Sequence, residues 1–140
     1  MPQTFDKLGV RFMYPDNWQL TDEQGVESPY SVGLQTPQGG MWLLQVHAGG
    51  EPLDLAAEVL KTMREEYAEL EADSIIEQIE KQDIVGFEMR FYYLDFVVMA
   101  RIVSFKRGEQ SLVVLCQAED RDFDQLDPIF RAVLVSLIRG

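Results

Sequence analysis

A chain of 140 residues with 46% apolar content is long enough to bury a core, and it carries 24 acidic against 12 basic residues for a net charge of −12. That balance opposes the phosphate neutralisation on which nucleic-acid affinity rests and is repelled by anionic lipid, so no nucleic acid and no membrane is expected as a partner. The lone cysteine, Cys116, excludes an internal disulfide and a paired-thiol metal site.

Residues 1–7 have neither a basic n-region nor an apolar h-region, which argues against a secretory signal and for a cytoplasmic location. Val10, Phe12 and Tyr14 alternate with Arg11 and Met13 as a first strand, and Pro15-Asp16-Asn17 then supplies turn chemistry, with Trp18 as a core anchor beneath the turn. Residues 21–29 are polar and acidic, with Gly25 and Pro29, and read as a loop. Strands follow at 30–36 and 41–48, joined through Pro37-Gln38-Gly39-Gly40 as a hairpin. Pro52 suits a first helical position and Asp54 the positive end of the dipole, so a helix is predicted over 52–70. Its stripe is Leu53, Ala56, Val59, Leu60, Met63, Tyr67 and Leu70, at spacings of three and four.

Residues 73–85 keep Ile75 and Ile79 in phase but put Ile76 and Ile84 out of it, and are read as one edge strand guarded by Glu77, Glu80 and Lys81. Residues 86–117 form the longest concentration of β-branched and aromatic side chains and are predicted to be a three-stranded antiparallel meander. Its third run, 112–116, is apolar at every position, as in a strand covered on both faces. Asp95 and Arg101 interrupt the apolar run 91–105, which rules out a spanning helix. Asp127-Pro128 is a cap-and-first-position pair, so the last helix is predicted over 128–138, after a helical turn at 122–126, with Phe130, Val133, Leu134 and Leu137 buried. The expected fold class is α+β, one domain over 1–140.

Phe12-Met13-Tyr14-Pro15-Asp16-Asn17-Trp18 and Phe130-Arg131-Ala132-Val133-Leu134-Val135-Ser136-Leu137, together with the element order, resemble the PsbP-like fold family. That family takes in a photosystem extrinsic subunit, a Ran-binding nuclear import factor, chaperones for secreted bacterial effectors and small bacterial proteins of unknown function. The resemblance implies a three-layer α/β/α sandwich around an antiparallel sheet of about six to seven strands. It implies no single function, and no functional residue of any member matches a residue here.

His47, the only histidine, has no second imidazole or thiol for a zinc set and no nucleophile placed beside it by the sequence. Cys116 has Leu115, Val114 and Gln117 as neighbours and reads as a buried structural thiol. Gly49-Gly50 leads into a helix start, but Glu51 and Asp54 oppose an anion there and the Gly-Lys-Ser/Thr of a phosphate loop is missing. Asp120, Asp122 and Asp124 match the opening of a calcium loop. Gln125 then stands where glycine is needed and Arg131 where a bidentate glutamate is needed, so neither a metal nor any other cofactor is expected.

Residues 51–82 hold ten acids against Lys61, Arg64 and Lys81. Glu65, Glu66, Glu69, Glu71 and Asp73 gather where a helix dipole disfavours them, which marks them as a candidate partner-binding surface. The reading is a non-enzymatic protein-interaction module, an adaptor or chaperone-like subunit with a protein partner. Its rivals are an enzyme or a binder of small apolar ligands with a pocket near Trp18, Trp42 and His47, and a homodimer that buries sheet surface.

Overall fold

Strands apolar at every position must be covered on both faces, and the layers of the molecule follow from that requirement. The computed structural model describes residues 1–24 and 29–140; the predicted loop at 21–29 therefore lies partly outside the described residues. The elements are β1 (Gln3–Lys7), β2 (Val10–Tyr14), β3 (Gln19–Gln24), β4 (Tyr30–Gln35), β5 (Met41–His47), α1 (Pro52–Glu66), β6 (Glu71–Ile79), β7 (Gln82–Tyr93), β8 (Phe96–Arg107), β9 (Gln110–Glu119) and α2 (Asp120–Arg139). Among the described residues, seven strands make one antiparallel sheet in the order β3-β4-β5-β9-β8-β7-β6, and β1 pairs with β2 in a separate hairpin. The class is α+β.

The central strand β9 sorts its side chains by parity. Leu112, Val114 and Cys116 join the core beneath α2, and Val113 joins the core beneath α1, with Leu115 packed against it. On β8, Val103 and Phe105 fall on the α2 side and Ala100 and Ile102 on the α1 side, as their alternation predicts. The β1–β2 hairpin shares the α2 layer, and its aromatic side chains fasten it to the sheet. Phe5 stacks on Phe12 at 5.0 Å, and Phe12 meets Trp42 of β5 at 4.9 Å. Trp18, whose N–H donates to the Pro15 carbonyl at 3.1 Å, packs edge-on against Phe130 at 5.6 Å. Both are buried, as the sequence predicts.

Several features differ from the sequence-based expectation. α1 stops at Glu66 instead of 70, because Tyr67 turns to extended backbone (φ −122°, ψ 94°) and lays its ring on Phe91 at 4.2 Å. Leu53, in the first turn, stands off the buried stripe and is exposed. The final helix begins at Asp120, well before Pro128, and carries that proline in its interior, where it supplies no N–H to the turn before it. The single edge strand expected at 73–85 is a hairpin. Glu80 and Lys81 both take positive φ (53° and 67°) and turn β6 into β7, which returns Ile84 to the face of Ile75 and Ile79 and leaves Ile76 exposed on the other. β1, which the sequence reading left unassigned, and β3, which begins before the expected loop at 21–29 and runs into it, complete the set.

Candidate functional site

The charged groups on the inner α2 surface are committed to one another, while the buried Trp42 Nε1 has no hydrogen-bond partner among the described residues. On the α2 face, one register row runs Glu88, Arg101, Cys116 and Trp42 across β7, β8, β9 and β5. The Arg101 guanidinium, with its side chain 19% exposed, donates to Glu88 Oε1 at 2.7 Å and to Asp127 Oδ1 of α2 at 2.5 Å, and it sits 5.4 Å from the Phe123 ring centroid. Burial pulls its pKa down, but the hydrogen bonds it donates to Asp127 and Glu88 outweigh that and hold the guanidinium above its ordinary value. This is a strut between sheet and helix. Burial also pushes the neighbouring Cys116 thiol up to about 12, so it carries no thiolate near neutrality, in keeping with the structural role read from its neighbours.

The pocket expected near Trp18, Trp42 and His47 is not formed by those three residues. An odd spacing along a strand puts Trp42 and His47 on opposite faces: Trp42 is buried in the α2 layer, whereas His47 is half-buried at the other face and its Nε2 lies 3.2 Å from Gln45 Oε1. Partial burial holds the His47 imidazole below its usual pKa. Trp18 is spent on Phe130. The groove of about 430 Å³ beside Trp42 is lined by Thr21, Gly33, Gln35, Met41 and Leu43, without an ionisable side chain among them. The Gly49-Gly50 turn is tied down by the Ser111 hydroxyl, which donates to the Gly50 carbonyl at 2.6 Å, and Glu51 pairs with Lys106 at 3.2 Å. Asp120, Asp122 and Asp124 lie in the first turns of α2, where helical geometry places Asp120 and Asp124 one turn apart and points Asp122 off their face.

The acidic run is divided by the sheet. Glu65 and Glu66 end α1 and Glu69 follows in the turn, all exposed on the α1 side, whereas Glu71 and Asp73 share the face of Ile75 and point to the α2 side of β6. Glu71 stands opposite Arg90, and Asp73 opposite Glu88.

What lies between these acids escaped the sequence reading. β6 begins opposite Arg90 and β9 ends opposite Val98, so beyond those residues β7 and β8 continue, among the described residues, as a ribbon of two strands joined by Tyr92↔Val97 and Tyr93↔Phe96. Its side chains are apolar and exposed: Tyr92 61%, Tyr93 54%, Leu94 77% and Phe96 46%. Leu94 has φ +56° in the two-residue turn, a position that ordinarily takes glycine. The Tyr67 ring stands edge-on to Tyr93 at 6.4 Å, and partial burial, Glu66 and Tyr93 all raise its phenol pKa, which sets the end of α1 against the ribbon. Asp95 lies in the turn itself, and Glu119 at the β9–α2 junction stands opposite Val98, on the same α1 side as Tyr67, with Asp120 opening α2 beside it. An alternating run with a charged tip reads simply as a hairpin; only the lengths of the flanking strands reveal that it projects.

The solution structure of cyanobacterial PsbP (CyanoP) from Synechocystis sp. PCC 6803 matches this one with a TM-score of 0.71 at 15% sequence identity, over 96% of this chain and 90% of that one. The fold is PsbP-like. The crystal structure of a protein of unknown function from Pseudomonas aeruginosa is similar to this PsbP-like chain at a TM-score of 0.61 and 15% identity, covering 97% of this chain and 95% of the other. A crystal structure from Bacteroides thetaiotaomicron VPI-5482 gives 0.62 at 11% identity over 91% of this chain, which spans 43% of that protein. At such identities the PsbP-like likeness carries the fold alone. No family model matches the sequence, and no curated protein is similar to it in sequence. Among the described residues, no helix of the PsbP-like chain is long and apolar enough to cross a membrane.

Proposed function

We propose that this chain is a non-enzymatic protein-interaction module, an adaptor or chaperone-like subunit, that holds a protein partner at the sheet end built from the β7–β8 ribbon and the acids Glu65, Glu66, Glu69, Glu71 and Asp73. The supporting observation is the concentration of exposed aromatic and aliphatic side chains on one projecting ribbon, whereas the remaining aromatic residues are buried or half-buried. Tyrosine, phenylalanine and leucine side chains left in water on a rigid support are what interfaces bury, because they add contact area at little conformational cost. The committed inner groups agree with that assignment. Arg101, Glu88 and Asp127 are strut members, and the Cys116 thiol is buried.

Site-specific photocrosslinking in native cells tests this reading. A photoreactive amino acid at position 94 should capture a discrete protein, whereas the same group at Leu53, also exposed but at the far end of α1, should not. Equal capture at both positions, or none at 94, would refute the module.

A further inference from the structure

We infer that the occupant of the β7–β8 ribbon is a basic protein segment that carries apolar anchors, a reading that rests on the interaction module proposed above and names its partner's chemistry. The ribbon is apolar on both faces. Tyr93 and Phe96, a cross-strand pair, stand on the α1 side, while Tyr92 and Val97 stand on the other and Leu94 caps the end. Each face is bordered by acids: Glu65, Glu66 and Glu69 by way of Tyr67, together with Glu119 through Val98, on the α1 side, Glu71 and Asp73 of β6 on the α2 side, and Asp95 in the turn. Nearby cations are fewer and partly engaged: Arg121 pairs with Glu119 at 2.8 Å, and Arg90 stands opposite Glu71.

Two other occupants fit less well. A second copy would meet this surface through a two-fold axis, which sets acid rim against acid rim. An anionic bilayer is repelled by the same acids and by the net charge of −12. A segment in which lysine or arginine alternates with leucine or an aromatic residue meets both requirements. Its apolar side chains cover Tyr92, Tyr93, Leu94 and Phe96, and its cations reach the carboxylates and the tyrosine rings. Leu94 adds weight. Glycine would relax its positive φ, and Glu80 and Lys81 make the comparable β6–β7 turn with charged side chains, so an exposed leucine here serves neither the turn nor solubility.

The test uses the full chain and labelled short peptides in fluorescence anisotropy at several salt concentrations. One peptide alternates lysine with leucine and tryptophan, a second replaces its lysines with glutamate, and a third keeps the lysines but replaces its apolar residues with serine. The first should bind and the other two should not. Tyr92→Thr with Leu94→Gly, two exposed positions whose replacement leaves the core intact, should weaken binding about ten-fold or more. Glu65→Gln with Glu66→Gln and Glu69→Gln should slow association and flatten its salt dependence.

Unchanged binding to the Tyr92→Thr/Leu94→Gly variant, equal binding of the serine peptide, or binding of the glutamate peptide would each overturn the inference. So would a micromolar dimer in sedimentation that the same variant abolishes, or adsorption to phosphatidylglycerol vesicles that it abolishes. If position 94 still captures a discrete protein while the basic peptide fails to bind, the module stands and the basic partner falls; if both fail, both fall.

Discussion

Arg101 bridges two layers, and its removal would leave two carboxylates facing each other. Replacing it with leucine removes the hydrogen bonds to Glu88 and Asp127 and the contact with the Phe123 ring. Both carboxylates retain access to water, so the expected loss is about 2 kcal/mol, below the figure for a fully buried pair. Urea melts measure it; a loss under about 0.5 kcal/mol would reduce the strut to an ordinary surface pair. The neighbouring thiol makes a second prediction, on pH. Because burial raises the Cys116 pKa in the folded state from 9.0 to about 12, the unfolded chain releases that proton first. Its contribution to stability is therefore complete below about pH 9 and is lost as pH rises from there to about 12, by more than about 1 kcal/mol per pH unit. Cys116→Val should remove that part of the alkaline decline. Identical alkaline slopes for the two proteins would show that the thiol titrates alike in both states.

At the level of elements, α2 is held to the sheet by Phe130, which is buried between Trp18 and Phe123 at 5.6 and 5.9 Å. Phe130→Ala should cost about 3–5 kcal/mol in denaturant melts, and a loss under about 1 kcal/mol would mean that the helix is anchored elsewhere. β7 contains a different kind of anchor. A Cβ at Gly86 would lie 1.8 Å from the Ile102 carbonyl oxygen and 3.0 Å from the Val103 Cα, all backbone atoms of β8 that cannot turn aside. Gly86→Ala should therefore destabilise the protein by more than about 2 kcal/mol, whereas Gly39→Ala, with open space around it but positive φ, should cost about 1 kcal/mol. Comparable losses at the two sites would contradict the close approach of β7 and β8.

The same glycine shows why some elements were legible and others were not. Periodicity identified α1, α2, the β4–β5 hairpin and the meander, because each has one apolar face or two and their side chains obey the expected spacing. Gly86 marks the start of a strand only if glycine is read as a boundary; here it is the point of closest contact in mid-strand. Glu80-Lys81 turns a hairpin without the Gly, Asn or Asp that ordinarily signals one, so two strands read as one. Pro128 split α2 in the reading, into a helical turn at 122–126 and a helix from 128, where the chain runs as one helix from Asp120. The candidate surface was half legible. Charge density pointed to the end of α1, but the ribbon beside it emerges only from strand register, which no window of sequence contains.

For the whole molecule, the net charge of −12 is a steady outward pressure on the folded state. Raising ionic strength from about 0.01 to 0.15 M shortens the screening length from about 30 to 8 Å, so the thermal midpoint should rise with sodium chloride over that range. A midpoint that falls would mean that the attractive pairs, chiefly Arg101 with Glu88 and Asp127, outweigh the repulsion. The ribbon lies at the end of the sheet where the last turn of α1 and the first turn of α2 both carry acids.

The position of β9 bears on how the chain assembles. Met41 meets Gln117 and His47 meets Ser111, so β3, β4 and β5 are joined to β8, β7 and β6 only through the strand of this sheet that leaves the ribosome last. Until then β5 presents an open edge with Trp42, Leu44 and Val46 along it, and the two halves are separate sheets with no shared hydrogen bond. Closing them requires one long loop to be paid for before any contact between the halves forms, which makes insertion of β9 the slow step of folding and the nascent β5 edge the place where the unfinished chain is most prone to pair with the wrong strand.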